Sequence, residues 1–195
     1  TKKTVPAYWK AACTLIKNNL SPLGSGRFTI HNMLYIFGGL PGTGKTLISQ
    51  AFARELNALH IRIDTIEQVL RESGLPVNGP EGYEVAYRIA ADNLRLGLSV
   101  VADSVNPLHI TRAAWRDVAA KTSVPFVEIE LVCSDEAVHR LRVETRSTDI
   151  SGLKLPTWDE VVVREYEPWE TKHYVIDTSG QTAEQSITAL RAILS

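Results

Sequence analysis

Residues 39–46 read Gly39-Leu40-Pro41-Gly42-Thr43-Gly44-Lys45-Thr46 and match the complete pattern G-x-x-x-x-G-K-[ST]. A loop of this composition binds phosphate, because several backbone N–H groups can converge on an anion only where few side chains intervene. An apolar run at 33–37 precedes the loop, and residues 47–56 follow it with apolar side chains at helical spacing. This strand–loop–helix unit predicts a site for a nucleoside triphosphate.

The loop also predicts individual roles. We expect Lys45 to reach the β- and γ-phosphates and the Thr46 hydroxyl to bind a magnesium ion. ATP and Mg²⁺ are therefore the predicted ligands, and the alternative is a glycine-rich turn that binds nothing. The predicted nucleotide contacts are Gly39, Leu40, Pro41, Gly42, Thr43, Gly44, Lys45, Thr46 and Leu47.

The rest of the chain alternates strand and helix. Strands are predicted near 33–37, 59–64, 98–103, 124–133 and 174–177, and helices near 65–72, 81–96, 107–121 and 135–146. Capping boxes at Thr157/Glu160 and Thr182/Gln185 predict two more helices, the first running toward Tyr166. The alternation predicts an α/β fold, a three-layer α/β/α sandwich with a five-stranded parallel sheet.

Bulk properties narrow the function classes. The 195 residues carry 21 Lys and Arg against 22 Asp and Glu, so an extended nucleic-acid partner is not expected. The two cysteines, Cys13 and Cys133, lack metal-binding spacing, and no signal peptide or long apolar span is visible, which favours a cytoplasmic protein without membrane contact. The oligomeric state cannot be predicted.

Two parts of the chain are distinguished. Residues 1–31 are predicted as an added amphipathic helix, about 5–20, and a flexible linker, about 21–26. Residues 32–195 form the alternating domain, with a glycine-containing lid at about 147–157. A partner-binding arm is an alternative role for the first segment.

Two acidic residues end predicted strands on the loop's side of the sheet. Asp64 can accept the proton of an attacking hydroxyl, although an Asp before a helix also acts as an N-cap. Asp103 can hold the magnesium ion directly or through water, although a turn residue is the alternative. Both would lie at the rim where parallel strands bind ligands.

Positive charge for the transferring phosphoryl group is expected from the helix before the lid. Arg142 and Arg146 are the candidates, and Arg140 is weaker. Arginines near a helix C-terminus are also favoured by the helix dipole, so solvent-exposed side chains are the alternative. The histidines His60, His109, His139 and His173 show no metal-ligand spacing.

The loop, Asp64, the run Val100-Val101-Ala102-Asp103-Ser104-Val105-Asn106-Pro107 and the arginine-rich helix together resemble the small P-loop kinases. That group includes polynucleotide kinases, chloramphenicol phosphotransferase, zeta toxins and gluconate kinases, and the run around Asp103 looks most like the polynucleotide kinase and AAA-type predicted kinase branch. The resemblance implies a nucleoside monophosphate kinase-like domain in which Lys45 and Thr46 bind ATP and magnesium, Asp64 is the base and lid arginines complete the site.

One departure from the family concerns the acceptor. Many relatives place an arginine three residues after the strand-end Asp, where this chain has Glu67. Because Glu67 would repel a phosphate, we expect a neutral or cationic hydroxyl compound, unless Arg62, placed mid-strand, or Arg71 compensates. The acceptor pocket is expected around Asn78, Tyr83, Tyr87, Trp158 and Trp169, and core packing is the alternative for each aromatic residue.

The sequence therefore predicts a kinase that moves the γ-phosphoryl group of ATP to a hydroxyl of a small molecule. A polynucleotide or nucleotide 5′-hydroxyl acceptor is the first alternative, and a toxin-like sugar-nucleotide kinase is weaker. A nucleotide-dependent ATPase switch without an acceptor is an alternative of a different class.

Overall fold

A computed structural model describes residues 32–194. The expectations for residues 1–31 and Cys13 lie outside this range. The elements are β1 (Leu34–Gly38), α1 (Lys45–Leu56), β2 (Leu59–Arg62), α2 (Ile63–Glu72), α3 (Glu81–Arg95), β3 (Val100–Asp103), α4 (His109–Thr122), β4 (Phe126–Val132), α5 (Glu136–Thr145), α6 (Trp158–Val162), β5 (Tyr174–Asp177) and α7 (Ala183–Leu194).

The five strands form one parallel sheet in the order β2-β3-β1-β4-β5. Each neighbouring pair is parallel, and β1 lies at the centre between β3 and β4. Because the strand order reverses at β1, a crevice opens beyond its carboxyl end, where ligands of open α/β sheets bind. The predicted fold class is confirmed.

Helices cover both faces of the sheet because side chains alternate along the buried strands. On β1, Leu34 and Ile36 pack into one core with α3 and α4, whose largest buried side chain is Trp115. Phe37 lies in the other core, with Phe52 of α1 and with α7. The three layers fix the loop after β1 against a strand in which every residue except Tyr35 is buried.

The boundary between β2 and α2 differs from the prediction. The strand stops at Arg62, which is the N-cap residue of a helix that begins at Ile63. Arg62 is therefore the last residue of the strand rather than a mid-strand residue. Its side chain lies at the same rim as the loop.

The helix predicted from Thr157 toward Tyr166 is shorter than expected. Its capping box with Glu160 is present, but α6 ends at Val162. The following residues cross the polar side of β4, where Tyr166 donates to Glu130 at 2.9 Å and Thr171 donates to Glu128 at 2.7 Å. These long-range hydrogen bonds replace the helical ones.

Within residues 32–194, each helix is too short or too polar to cross a membrane.

Candidate active site

The loop between β1 and α1 has the backbone geometry of an anion-binding nest. Its three motif glycines, Gly39, Gly42 and Gly44, all have positive φ. At Gly42, with φ of 91°, a Cβ would lie 2.5 Å from Cγ2 of Val143, so another residue would meet both backbone strain and a steric clash. Positive φ at such positions allows successive backbone N–H groups to converge on an anion, and the helix dipole at the start of α1 favours negative charge there.

Hydrogen bonds from three other elements hold the loop. The Gly39 N–H donates to the Val105 carbonyl at 3.0 Å. His139 Nε2 lies 2.8 Å from the Pro41 carbonyl oxygen, and Thr178 Oγ1 donates to the Thr43 carbonyl at 3.0 Å. The loop is therefore preorganised before any ligand binds.

Lys45 and Asp103 form a buried ion pair beneath the loop. Lys45 Nζ lies 3.2 Å from Asp103 Oδ1, and the two side chains are only 8% and 1% exposed. Burial opposes the ionisation of Asp103, but the charges of Lys45 and His60 outweigh burial and hold its pKa below the ordinary value. Asp103 is thus a buried anion at the carboxyl end of β3. This burial excludes the alternative in which Asp103 is a surface turn residue.

The same region fits a magnesium ion of the kind that phosphate-loop proteins bind. Neither carboxylate oxygen of Asp103 accepts a hydrogen bond of ordinary geometry, although both are buried. Asp103 also faces the Thr46 side chain, and carboxylate and hydroxyl oxygens are the ligands that magnesium prefers. Within residues 32–194 there is no cluster of three or more His, Cys, Asp or Glu that could hold a metal.

A cavity of about 1240 Å³ extends from the phosphate loop to α2 and to residues 147–156. Seven of the predicted nucleotide contacts line it: Leu40, Pro41, Gly42, Gly44, Lys45, Thr46 and Leu47. Gly39 and Thr43 do not; Thr43 donates to the Leu40 carbonyl at 2.9 Å and shapes the loop from inside. The opposite wall contains Asp64, Glu67 and the lid.

Asp64 occupies the first turn of α2 rather than its N-cap. Its side chain is 48% exposed, and Oδ2 lies 4.0 Å from Nε of Arg62. Because the N-cap residue is Arg62 and no side chain caps the helix, the capping alternative is wrong. An accessible carboxylate facing the loop across one cavity suits a proton acceptor.

The three candidate arginines differ in their surroundings: two lie in α5 and the third, Arg146, is its C-cap residue. Arg140 is exposed and pairs with Glu144 at 2.8 Å, away from the cavity lining. Arg142 lines the cavity but donates to both the hydroxyl and the carbonyl of Thr178, at 2.8 and 2.9 Å. Arg142 therefore ties α5 to the end of β5, next to the loop.

Arg146 is the least satisfied of the three. It also lines the cavity, and its Nε and Nη2 atoms are buried without a hydrogen-bond partner. Burial lowers the pKa of the Arg146 guanidinium, and attraction by Asp64 partly offsets this effect. Such a side chain is ready to receive an anion between the loop and Asp64.

The expected acceptor pocket of aromatic residues is wrong. Tyr83 and Tyr87 pack against the core beneath α3, where burial raises the pKa of Tyr83 to about 12. Trp158 contacts the His139 ring, and Trp169 lies over the Arg112 guanidinium. Neither these four nor Asn78 lines the cavity, because aromatic residues at helical spacing serve the core equally well.

Polar side chains of α2 form this wall instead. Glu67 lines the cavity, and Arg71 Nη2 donates to its Oε2 at 2.9 Å, so the acidic charge is compensated within the helix. Burial raises the pKa of Glu67 above its ordinary value, against the opposing effect of Arg71. Gln68 and Glu72 complete the wall and contact the lid at Gly152.

Two histidines near the site were not assigned a role from sequence. His60 Nε2 lies 3.6 Å from Asp103 and 3.0 Å from the Ser49 hydroxyl, and His139 contacts the loop at Pro41. In the sequence, only their positions indicate a place near the site. His60 lies in the strand two residues before Arg62, and His139 lies one turn into α5. Both support the loop and its acid rather than binding a ligand.

A phosphate loop after the central strand and a buried acid on the adjacent strand are typical of the P-loop kinase-like class of nucleotide-binding folds. Residues 34–162 match the AAA domain family AAA_33, and the chain belongs to that family. Among curated proteins, none matches the sequence.

Solved structures share the fold. A predicted kinase from Chloroflexus aurantiacus aligns with a TM-score of 0.62 at 20% identity, over 84% of this chain and 96% of that one. A gluconokinase from Sinorhizobium meliloti aligns with 0.59 at 18%, over 84% and 94%. The Mycobacterium tuberculosis APS kinase CysC in complex with AMPPNP and APS aligns with 0.57 at 18%, over 85% and 99%.

Proposed function

We propose that the protein is an ATP- and magnesium-dependent kinase that phosphorylates a hydroxyl group of a small molecule. The observation that carries this proposal is a cavity that is lined by both the phosphate loop and Asp64. A hydrolase needs to admit only water, whereas this cavity continues past the loop to a wall of charged side chains. The kinases among the structural neighbours support the assignment.

The reaction follows from the residues in order across the cavity. The loop and Lys45 bind the phosphates of ATP, and Asp64 accepts the proton of the acceptor hydroxyl as its oxygen bonds to the γ-phosphorus. The bond between that phosphorus and the bridging oxygen breaks, and ADP leaves with the electron pair. Arg146 offsets the charge on the moving phosphoryl group.

Magnesium would be held by Thr46 and Asp103, together with phosphate oxygens. When bound, it supplies positive charge to the terminal phosphates. Asp103 also keeps Lys45 beneath the loop, at 3.2 Å from its carboxylate. Arg142 positions α5 through Thr178, so its role is to place Arg146 and the lid rather than to touch the reacting atoms.

The first experiment compares the wild-type protein with Asp64→Asn in ATP turnover, using magnesium and a panel of sugars, sugar acids, nucleosides, aminoglycosides and 5′-hydroxyl oligonucleotides. Phosphorylated products are detected by mass. We expect a product whose rate falls by about 10²-fold or more in the variant, because a general base contributes that much. The affinity for AMPPNP should not change, since Asp64 lies across the cavity from the loop.

Asp92→Asn is the control, because Asp92 is an exposed carboxylate of α3 that pairs with Arg95 of the same helix. Tight nucleotide binding with slow hydrolysis, no phosphorylated product and no effect of Asp64→Asn would contradict the kinase proposal. That result would favour the nucleotide-dependent switch. A product found only with 5′-hydroxyl oligonucleotides would identify a polynucleotide kinase.

A further inference from the structure

Arg62 is a poorly solvated cation on the acceptor side of the cavity. Its side chain is 13% exposed, and its Nε is buried without a hydrogen-bond partner of ordinary geometry. Asp64 lies 4.0 Å from Nε, too far for a hydrogen bond. A guanidinium in this setting needs an anion, because a part-buried charge without one is costly.

The lid supplies that anion in this structure. Asp149 Oδ1 lies 2.6 Å from Nη1 of Arg62, although the two residues are 87 positions apart. The Asp149 side chain is 70% exposed, so burial does not hold it there. Its hydrogen bond with Arg62 is the largest cause that lowers the pKa of Asp149.

The lid and α2 close the acceptor side at this point. A Cβ on Gly152 would lie 2.8 Å from Nε2 of Gln68, so the lid already packs against the helix. The Asp149 carboxylate thus lies inside the space between the lid and Asp64 that an acceptor must enter. An acceptor that displaces Asp149 without replacing its charge would leave Arg62 uncompensated.

We propose that the phosphoryl acceptor is a small hydroxyl compound bearing a carboxylate or phosphate group, that Arg62 binds this oxyanion, and that Asp149 occupies its place when the site is empty. This inference rests on the proposed function, because it names the acceptor of that reaction. It revises the expectation of a neutral or cationic acceptor. Glu67 does not oppose it, since Arg71 already compensates that carboxylate.

The test uses inorganic phosphate as the oxyanion probe. Calorimetric titration of phosphate is performed on the full chain, with and without magnesium and AMPPNP, for the wild type and for Asp149→Asn. We expect Asp149→Asn to bind phosphate about tenfold more tightly, because the competing carboxylate is removed. The control is Asp92→Asn, which removes one exposed negative charge outside the cavity lining and should change the affinity by less than about twofold.

Three further substitutions, each added to Asp149→Asn, assign the gain to Arg62. Adding Arg62→Gln to Asp149→Asn should abolish the gain, Arg62→Lys should restore part of it, and Arg164→Gln, another cavity-lining cation, should not. An equal effect of Asp149→Asn and Asp92→Asn, a gain that survives Arg62→Gln, or no phosphate binding to Asp149→Asn would overturn the proposal. Thermal unfolding confirms that each variant is folded.

The proposed function is tested separately by the same samples. Absence of AMPPNP binding or of any phosphorylated product would contradict the kinase proposal. The phosphate titration does not depend on that result, because it is also performed without nucleotide. With the kinase active, an acidic acceptor should be preferred over its uncharged counterpart, gluconate over glucose for example, by about tenfold in kcat/KM. Arg62→Gln should remove that preference through KM.

Discussion

The two sides of the cavity are built in different ways. On the side of the phosphate loop, the backbone of residues 39–46 and the buried pair Lys45–Asp103 form the binding surface. On the side of α2 and the lid, the surface consists of long side chains paired across the cavity, such as Arg62 with Asp149. The first side is fixed before a ligand arrives, and the second can exchange partners.

This difference indicates how the protein divides its tasks. A nucleotide presents the same phosphates in every member of a large family, so a rigid backbone nest is sufficient. An acceptor differs between members and is read by side chains, which can be substituted without disturbing the sheet. Variants on the first side should therefore affect binding and folding together, and those on the second should affect turnover or acceptor choice.

Lys45→Ala should have the largest effect. Loss of the ammonium removes a phosphate contact and leaves Asp103 as an uncompensated buried acid, so we expect ATP turnover to fall by about 10³-fold and stability by about 3 kcal/mol. ADP release and thermal unfolding measure the two effects. Lys121→Ala, an exposed lysine of α4, is the control. If Lys45→Ala kept more than about a tenth of the wild-type turnover, the proposed difference between the two sides of the cavity would be wrong.

Gly42→Ala and Gly44→Ala compare two residues of the same loop. Both have positive φ, 91° and 84°, but a Cβ at Gly42 meets Val143 at 2.5 Å and one at Gly44 meets nothing within 4 Å. We expect a loss in the free energy of unfolding of about 3 kcal/mol for the first and about 1 kcal/mol for the second. Denaturant titration of the nucleotide-free protein measures both, and equal losses would show that the loop is less closely packed than the geometry indicates.

Arg146→Gln should reduce turnover by about tenfold to a hundredfold and leave AMPPNP affinity unchanged, because its unpaired guanidinium faces the space between the loop and Asp64. Single-turnover kinetics separate the chemical step from nucleotide binding. Arg140→Gln, on the same helix and paired with Glu144, is the control. If both variants reduced turnover equally, the effect of Arg146 would come from the overall positive charge of this region rather than from its position.

Glu67→Gln should have the smallest effect and change the free energy of unfolding by less than about 1 kcal/mol. Because burial raises the pKa of Glu67 in the folded protein, the wild type has its full contribution from this group below the unfolded pKa of about 4.3. It loses that contribution as the pH rises through the folded pKa. The stability of Glu67→Gln relative to the wild type should therefore increase with pH in this range. Thermal unfolding between pH 4 and 7 measures it, and a constant difference would contradict the assignment.

The side that could be predicted from sequence is the one built from local backbone. The loop, the strand-end Asp103 and both capping boxes depend on residues close together in the chain, and the structure has them as expected. The pair Arg62–Asp149 joins residues far apart in sequence, so no local pattern indicates it.

Two predictions were wrong because the local sequence shows neither which face of a helix meets the core nor which distant residues form hydrogen bonds. The spacing of Tyr83 and Tyr87 shows that they share a side of α3, but it does not show whether that side meets the cavity or the core. The helix after Thr157 stops early because Glu128 and Glu130, on a distant strand, bind the residues that follow. Both outcomes depend on tertiary contacts that override local propensity.

The edge contact between Trp158 and His139 has a practical consequence. The ring centroids are 5.3 Å apart, and the same imidazole touches the Pro41 carbonyl of the phosphate loop. Trp158 begins the short helix α6, so its indole is linked through one side chain to the phosphate loop. We expect its fluorescence to change when the loop fills, which gives the protein an intrinsic optical reporter of its own occupancy.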